Sequence, residues 1–258
     1  MKSPKFSIII PSFNKAKYLS NTLSSIFQQN YENVEVIIQD GGSTDGSVDI
    51  IKKFSIKFPG IIKWESKIDK GQLDAVNKGL SKSTGDILSF INADDCYEEN
   101  TFSLVSKAAI KNPHALWFAG KGIAVNENNK QILLAVTWYK NLLLKLNSYF
   151  ILLTVNYLMQ PSVFFTRTAY DKYGSFTGTN DFIMEYDFWL KTGKHQMPIV
   201  LPSVLTRFHM GADTITSNRY NDILGEDRRI LMKHTKNPII ILIHDINNIG
   251  RKIINLFL

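Results

Sequence analysis

A repeated alternation of short apolar runs with longer amphipathic stretches is the feature that most constrains the fold. The β-branched run at 6–10 is followed by apolar residues at helical spacing from Ala16 to Phe27. The alternation returns three times, with strands predicted at 34–39, 61–64 and 86–91 and a helix predicted after each. Four such units predict an α/β fold with a doubly wound, mostly parallel sheet and helices on both faces.

Polar residues follow each predicted strand, at the edge where open parallel sheets bind ligands. In the loop after the second strand, Gly41 and Gly42 permit a tight turn, and Asp45 is expected to cap the helix that begins near Ser47. Asp40 could face a base or a ribose, or the loop could be a plain connection. Neither GxGxxG nor GxxxxGK[ST] occurs, which argues against the two nucleotide folds that those motifs mark.

Two adjacent carboxylates, Asp94 and Asp95, follow the apolar run at 86–91. Their mutual repulsion disfavours ionisation of both, so a positive partner is expected beside them. They could be turn residues only. Alternatively, clustered carboxylate oxygens are what Mg²⁺ and Mn²⁺ prefer, and such an ion could clamp a diphosphate.

After residue 112 the pattern loosens into a mixed α+β half. Short strands are predicted at 115–120, 131–138, 160–165 and 203–210, and helices near 168–173 and 182–192. Because no internal repeat or low-complexity linker interrupts the chain, we expect one domain at 1–235 with two functional halves, followed by a tail. The expected boundaries are 1–112 and 113–235 for the halves and 236–258 for an amphipathic C-terminal tail.

The second half carries its own candidate site residues. Around 180–193, Asp181, Glu185 and Asp187 lie near the start of a helix whose one face is aromatic and includes Phe182. Acidic residues in a first turn commonly complement the helix dipole, but a carboxylate beside aromatic rings could also act as a general base. The segment at 207–216 offers Arg207 and His209 before a glycine-containing loop, where they could meet phosphate or metal.

Charge and cysteine content limit which binding partners and which cellular compartment are expected for the protein. The net charge of +7 fits an anionic partner without choosing among nucleotide, nucleic acid and membrane. A single cysteine, Cys96, rules out an intrachain disulfide, and the start of the chain reaches Pro11 too soon for a secretory signal, so a cytoplasmic location is expected. The tail from Pro238 has an apolar stripe reaching Phe257 and Leu258, which predicts a helix that packs on the domain, dimerises or lies on the inner face of the cell membrane.

The motifs in order resemble those of family 2 glycosyltransferases over roughly residues 5–215. The stretches that carry the resemblance are SIIIPSFNKAKYLSNTLSSIFQQ, DGGSTDGS, DKGQLDAVNKGL, TGDILSFINADD, QPSVFF and MEYDFWL. The resemblance implies a GT-A fold, a nucleotide-sugar donor that is often a UDP-sugar, a Mn²⁺ or Mg²⁺ ion, and inversion at the anomeric carbon. It also implies a saccharide or lipid-linked acceptor, as in bacterial surface polysaccharide synthesis.

The resemblance implies roles for individual residues. The positions implied to bind the nucleotide sugar are Pro11, Ser12, Phe13, Asn14, Asp40, Gly41, Asp69, Asn77, Lys78, Asn92 and Asp94. The implied metal ligands are Asp94, Asp95 and His209. Glu185 aligns best with the family's catalytic base, with Asp187 in reserve.

The sequence departs from the family pattern at two positions. Asn92 stands where the metal-binding motif often begins with Asp, and the base region, which often ends in Glu-Asp or Asp-Tyr-Asp, here reads Met184-Glu185-Tyr186-Asp187. Two other functions stay open on the sequence: a nucleotidyltransferase or similar nucleotide-sugar enzyme, and a noncatalytic carbohydrate- or nucleic-acid-binding module. The second needs a basic or aromatic stripe, whereas the positive charges here are scattered, so no nucleic-acid partner is expected.

Overall fold

The fold is seen in a computed structural model that describes residues 3–178, 183–211 and 220–255. The strands are β1 (Phe6–Ser12), β2 (Val34–Asp40), β3 (Ile62–Ser66), β4 (Ile87–Phe90), β5 (Cys96–Tyr97), β6 (Trp117–Val125), β7 (Gln131–Ile132), β8 (Val163–Thr166) and β9 (Ile199–His209). The helices are α1 (Ala16–Phe27), α2 (Ser47–Lys57), α3 (Gln72–Lys82), α4 (Thr101–Lys111), α5 (Leu134–Leu146), α6 (Tyr149–Thr154), α7 (Arg167–Tyr173), α8 (Met184–Gly193), α9 (Tyr220–His234) and α10 (Pro238–Asn255). The predictions for Asp181, Phe182, residues 212–216, Phe257 and Leu258 lie outside the described residues.

One mixed sheet organises the chain, in the order β3-β2-β1-β4-β8-β6-β9-β5, with β7 paired to β6. The first four of these strands are parallel, and β8 joins β4 in the antiparallel sense. Ser12 lies opposite Asp40, which in turn lies opposite Ser66, so these strands end in register. The loops after β1 to β4 therefore share one edge of the sheet, as the sequence predicts.

Both faces of the sheet are buried. Along β1, Ile8 and Ile10 pack with α1, α2 and α4, whereas Ile9 points to the other face and packs with α3 and α8. Because consecutive side chains of a strand alternate between faces, a strand that is covered on both sides reads as a continuous apolar run. This explains why the sequence shows unbroken isoleucine in β1.

The strand predicted at 131–138 is wrong. Only Gln131 and Ile132 form a strand there, and α5 begins at Leu134. A short continuous run of Ile, Leu, Val and Trp has no period that separates a strand from a helix.

The prediction that Asp45 caps α2 is wrong, because Asp45 is not the N-cap residue of that helix. The N-cap residue of α2 is Gly46, with φ of +99°, and it makes no side-chain cap bond. The Asp45 carboxylate instead accepts hydrogen bonds from the Ser47 amide at 3.0 Å and from the Ala16 amide, at the start of α1, at 2.8 Å. Asp45 therefore ties together the beginnings of two helices.

The predicted C-terminal helix forms as α10. Within 3–178, 183–211 and 220–255, no helix combines the length and the hydropathy that crossing a bilayer requires. The structure instead packs α10 against α6 and α9.

Candidate active site

The loops that follow β1 and β2 are bonded to each other. Asn14 has φ of 51°, in the left-handed region that asparagine tolerates. Its side-chain oxygen accepts a hydrogen bond of 2.9 Å from the Thr44 amide, and its own amide donates to the Ser43 hydroxyl at 2.8 Å. Asn14, a predicted nucleotide-sugar residue, thus holds the second loop in place against the first.

Asp40 organises the loop that begins with it. Its carboxylate accepts hydrogen bonds from the Gly42 and Ser43 amides, from the Ser43 hydroxyl at 2.6 Å and from the Ser66 hydroxyl at 2.7 Å. The side chain is buried. The structure therefore places Asp40 as the anchor of the edge, where the sequence offered it as an acceptor facing a base or a ribose.

Phe13, Gly41 and Asp69 lie close together at this edge of the sheet. A Cβ atom added to Gly41 would lie 3.2 Å from the Phe13 ring and 3.2 Å from an Asp69 carboxylate oxygen, so a side chain here would crowd both. The Phe13 ring is exposed, whereas Pro11 and Ser12 are buried at the end of β1. Because an exposed aromatic ring can stack on a base and a carboxylate can accept a hydrogen bond from the base edge, Phe13 and Asp69 have the chemistry of a nucleoside site.

The carboxylate pair after β4 is partly neutralised by a lysine that the sequence reasoning missed. An Asp94 oxygen lies 2.6 Å from the Lys15 ammonium, which comes from the loop after β1. Asp95 is buried and accepts hydrogen bonds from the His209 amide at 2.8 Å and from Asn92 at 3.3 Å. Burial, and after it the charge of Asp94, raises the pKa of the Asp95 carboxyl well above its usual range. The positive partner expected from the sequence is therefore present, at least in part, as Lys15.

His209 lies beside the carboxylate pair of Asp94 and Asp95. Its ring lies 4.7 Å from the Tyr18 ring, centroid to centroid, and its Nε2 is buried with no hydrogen-bond partner among the described residues. Burial lowers the pKa of the imidazole, which favours the neutral form that can ligate a metal.

The donor atoms near His209 fit a divalent cation. Across the described ranges, no three His, Cys, Asp or Glu side chains stand grouped as a ready-made metal site. Two carboxylates and an unpartnered imidazole nitrogen nevertheless have the chemistry of a metal's protein ligands, with phosphate oxygens able to supply the remaining positions.

The two predicted residues of α3 differ in role. Asn77 exchanges two hydrogen bonds of 3.0 Å with the backbone of Phe176, which fixes the segment before α8. Lys78 pairs with Asp74 at 2.7 Å near the surface. At the start of the helix, Gln72 donates a hydrogen bond to Asn92, a contact that the sequence reasoning did not find.

Glu185 lies in the first turn of α8 and is only 6% exposed. Burial raises the pKa of its carboxyl to about 7, against smaller opposing effects of the α8 backbone and of the Lys140 charge. Lys140 reaches inward from α5, where its ammonium donates to the Leu158 carbonyl at 3.2 Å and burial lowers its pKa to about 8. A carboxylate in this state can take a proton near neutral pH.

Asp187, two residues further on, is fully engaged. Its oxygens lie 2.7 Å from His234 Nε2 and 2.6 Å from the Lys191 ammonium, and the Thr177 hydroxyl donates to it at 2.8 Å. Burial alone would raise the pKa of this carboxyl, but these hydrogen bonds hold it well below its usual range. Asp187 therefore joins α8 to α9, and Glu185 is the carboxylate left to accept a proton.

Comparison with known families agrees with this geometry. The sequence model described as "Glycosyl transferase family 2" matches residues 7–174, more than half of the chain. The chain belongs to glycosyl transferase family 2. The match covers Phe13, Lys15, Gly41, Asp69 and the carboxylate pair of this glycosyltransferase, and it ends before α8.

Curated relatives of the glycosyltransferase align with less than half of it. A PGL/p-HBAD biosynthesis glycosyltransferase of Mycobacterium bovis is 39% identical over 107 residues, which is 41% of this chain and 42% of the relative. An uncharacterised glycosyltransferase of Nostoc is 37% identical over 94 residues, which is 36% of this chain and 29% of the relative. The chain thus spans well under half of the length of these relatives.

Solved structures show that the glycosyltransferase has the GT-A fold. S. aureus TarS, residues 1–349, in complex with UDP-GlcNAc superposes with a TM-score of 0.68 at 21% identity, over 88% of this chain and 65% of that chain. The mannosyltransferase PcManGT of Pyrobaculum calidifontis, in complex with GDP-Man and Mn²⁺, gives a TM-score of 0.67 at 17% identity, over 93% and 67% of the two chains.

Proposed function

We propose that this family 2 glycosyltransferase is an inverting, metal-dependent enzyme. It transfers a hexosyl or N-acetylhexosaminyl group from a nucleotide sugar, with UDP-sugars as the first candidates, to a saccharide or lipid-linked saccharide. The observation that carries the proposal is a buried carboxylate, Glu185, whose pKa lies near neutrality in a protein with a separate acidic site at the sheet edge.

The sheet edge accounts for donor binding. The nucleoside binds beside Phe13 and Asp69, and the diphosphate extends toward Lys15 and the carboxylate pair. UDP-GlcNAc in TarS and GDP-Man in PcManGT support a nucleotide-sugar donor.

A divalent cation, Mn²⁺ or Mg²⁺, would be held by Asp94, Asp95 and His209. When bound, it neutralises charge on the departing diphosphate. Lys15 adds a fixed positive charge beside Asp94. The Mn²⁺ in the PcManGT complex supports this assignment.

Glu185 acts on the acceptor. Its carboxylate takes the proton of the acceptor hydroxyl while the hydroxyl oxygen bonds to the anomeric carbon. The bond from that carbon to the diphosphate oxygen breaks on the opposite face, so the configuration inverts and a nucleoside diphosphate leaves. A pKa of about 7 leaves Glu185 partly ionised at neutral pH and still basic enough to accept the proton.

A panel of nucleotide sugars tests the proposal. The purified protein is incubated with UDP-Glc, UDP-GlcNAc, UDP-Gal and GDP-Man, and release of nucleoside diphosphate is measured with and without EDTA. We expect turnover of at least one donor that EDTA abolishes and Mn²⁺ or Mg²⁺ restores, and that Asp94→Ala and Asp95→Ala lose. Exposed Asp171→Ala is the matched control and should keep wild-type turnover.

Two results would reject parts of the proposal. Full turnover in EDTA rejects the metal, and failure to bind or turn over any donor rejects the transferase. Membership of the glycosyltransferase family favours this function over the nucleotidyltransferase and the noncatalytic binding module. We extend the proposal to a place in bacterial surface polysaccharide synthesis, and the relative named for PGL/p-HBAD biosynthesis is itself a biosynthetic glycosyltransferase.

A further inference from the structure

The polar side of α10 faces the protein. His244 and Asn248 are buried, and the Arg251 guanidinium lies 2.6 Å from the fully buried carboxylate of Asp227 in α9. A helix on the surface of a water-soluble domain has the reverse arrangement, with its apolar stripe turned to the core. Ile240 and Ile241 near the start of α10 pack against the core, but this orientation leaves most of its described apolar side chains outward.

That outward side is a row of large aliphatic side chains. Ile239, Leu242, Ile246, Ile249 and Ile253 are all exposed, Ile246 to 60%. Their spacing of three and four residues places them on one strip along the helix.

Helix α5 repeats the arrangement. Leu134, Trp138, Leu142 and Leu146 are spaced by four residues and exposed, Trp138 to 67%, whereas Leu143 is buried in the core. We refer to these four residues and the α10 strip together as the α5–α10 face. The interior of the protein covers neither helix's strip.

The two strips lie in the same region of the molecule. Helix α10 packs against α6, which begins three residues after α5 ends. Lys140 of α5 is close enough to Arg251 of α10 for the two charges to interact. Isolated exposed hydrophobic residues are ordinary, but a row of large apolar side chains on each of two helices in one region marks a binding surface.

Charge indicates what covers the α5–α10 face. No Asp or Glu occurs between Glu127 and Asp171, and Lys145, Lys236 and Lys252 are exposed on or beside the two helices. The acidic residue of α10, Asp245, pairs with Arg228 at 2.8 Å. An anionic lipid surface complements apolar side chains flanked by lysines, whereas a second copy of this chain would bring like charges together.

We propose that the α5–α10 face docks on an anionic lipid bilayer, with both helices lying in its interface. Trp138 has the ring type that sits at the level of the lipid headgroups, and the lysines reach the phosphates. The inner side of α5 carries Lys140, whose charge acts on Glu185, and the inner side of α10 carries Arg251, whose partner Asp227 also acts on Glu185. Docking therefore brings the Glu185 side of the protein to the membrane, which points to a lipid-linked acceptor; this last step rests on the proposed function.

Sedimentation with vesicles tests docking without any donor. Full-length protein is mixed with vesicles of phosphatidylglycerol and phosphatidylcholine in equal parts, or of phosphatidylcholine alone. We expect binding to the anionic vesicles and a loss of affinity of about tenfold or more in Trp138→Ser/Leu142→Ser and in Ile246→Ser/Ile249→Ser. Ile56→Ser, at an exposed position of α2, is the matched control and should bind as wild type does.

Three results would overturn the docking proposal. The first is no binding of the wild type to anionic vesicles, and the second is equal binding by wild type and both double variants. The third is a lipid-free dimer, seen by sedimentation velocity, that the same variants dissociate, because a second copy would then cover the face. The substituted side chains point outward, and far-UV circular dichroism checks the fold of each variant. Since no nucleotide sugar is present, failure of the donor panel leaves this test unaffected.

Discussion

At the scale of single residues, Glu185 and Asp187 lie in one turn of α8, but the pKa of one carboxyl is raised and that of the other is lowered. Both are buried, but Asp187 has three hydrogen-bonding partners, two of them basic side chains, whereas only a backbone hydrogen bond and the Lys140 charge favour the ionised form of Glu185. Partners stabilise the ionised form of one carboxyl, and desolvation destabilises that of the other. A sequence alone places two acids on one helix, and the environment decides which can act as a base.

Replacing Glu185 by Gln should lower transfer by about a hundredfold or more while donor binding survives, because the amide keeps the size of the carboxyl but accepts no proton. The measurement is kcat for transfer together with UDP affinity by calorimetry. In the wild type, kcat should rise with pH as Glu185 loses its proton, with its midpoint near pH 7. Unimpaired transfer by Glu185→Gln would remove Glu185 as the base.

Asp187→Asn separates the two carboxyl groups. It should lower the free energy of unfolding because it breaks contacts with His234 and Lys191. Transfer by the protein that remains folded should exceed that of Glu185→Gln. The reverse ranking of the two variants would make Asp187 the base.

The raised pKa of Glu185 also predicts how stability depends on pH. Between the ordinary value of 4.5 and the folded value of about 7, the native state keeps a proton that the unfolded chain has lost. Raising the pH through this window therefore destabilises the wild type, by up to about 3 kcal/mol. Glu185→Gln has no carboxyl group at this position to lose a proton. Its free energy of unfolding in urea, relative to that of the wild type, should therefore increase from pH 5 to pH 8. A constant difference across that range would contradict the raised pKa.

At the scale of elements, α5 and the first four strands show what the sequence can and cannot predict. Strands β1 to β4 follow the sequence because they are short apolar runs bounded by polar turn residues, and helices α1 to α4 follow it because each has one buried side that gives a helical period. The two-residue strand β5 was not predicted. Helix α5 was mistaken for a strand because its outer side is apolar too, which removes the contrast that periodicity depends on.

The same limit applies to the site. The edge that carries Asp94 and Asp95 follows from the order of strands, but their partner Lys15 lies 79 residues away from Asp94. No local sequence pattern predicts the pairing of Lys15 with Asp94, and none predicts that the Lys140 charge acts on Glu185. Which cations meet which carboxylates depends on how the helices pack.

Two arginines that link α9 and α10 offer a matched comparison. Arg251→Met leaves the buried Asp227 carboxylate without its 2.6 Å partner, which should cost roughly 3 kcal/mol. Arg228→Met breaks the more exposed pair with Asp245, and its effect should stay below about 1 kcal/mol. Urea unfolding of both variants measures the difference, and equal losses would show that the buried pair has no special role in holding α10.

At the scale of the whole molecule, the sheet joins the two halves of the chain. Strand β4 of the first half pairs with β8 of the second, and Phe90 of the first half packs on Phe176 of the second with ring centroids 5.6 Å apart. Because the strands of both halves share one hydrogen-bonded sheet, neither half can lose its strands without exposing an edge of the other.

We therefore expect the halves at 1–112 and 113–235 to unfold together. Trp64 reports on the first half, and Trp117 and Trp189 report on the second. Variants that keep only Trp64, or only Trp117, with the other tryptophans changed to Phe, should give the same urea midpoint by fluorescence and by circular dichroism. Two separate midpoints would show that the halves are independent folding units.

The inward polar side of α10 has a consequence for how the helix keeps its rotation about its own axis. Only Ile240 and Ile241 of its described aliphatic side chains pack against the core, whereas most of the others are exposed, so burial of apolar area alone does not account for the observed orientation. The pair of Arg251 and Asp227 favours the observed orientation, because rotation of α10 would leave the buried Asp227 carboxylate without its arginine partner. Apolar residues of similar size at both positions would leave the fold as stable or more so, yet let α10 roll its isoleucines inward. In this protein a buried ion pair fixes the orientation of α10, and the exposed apolar strip follows from that orientation.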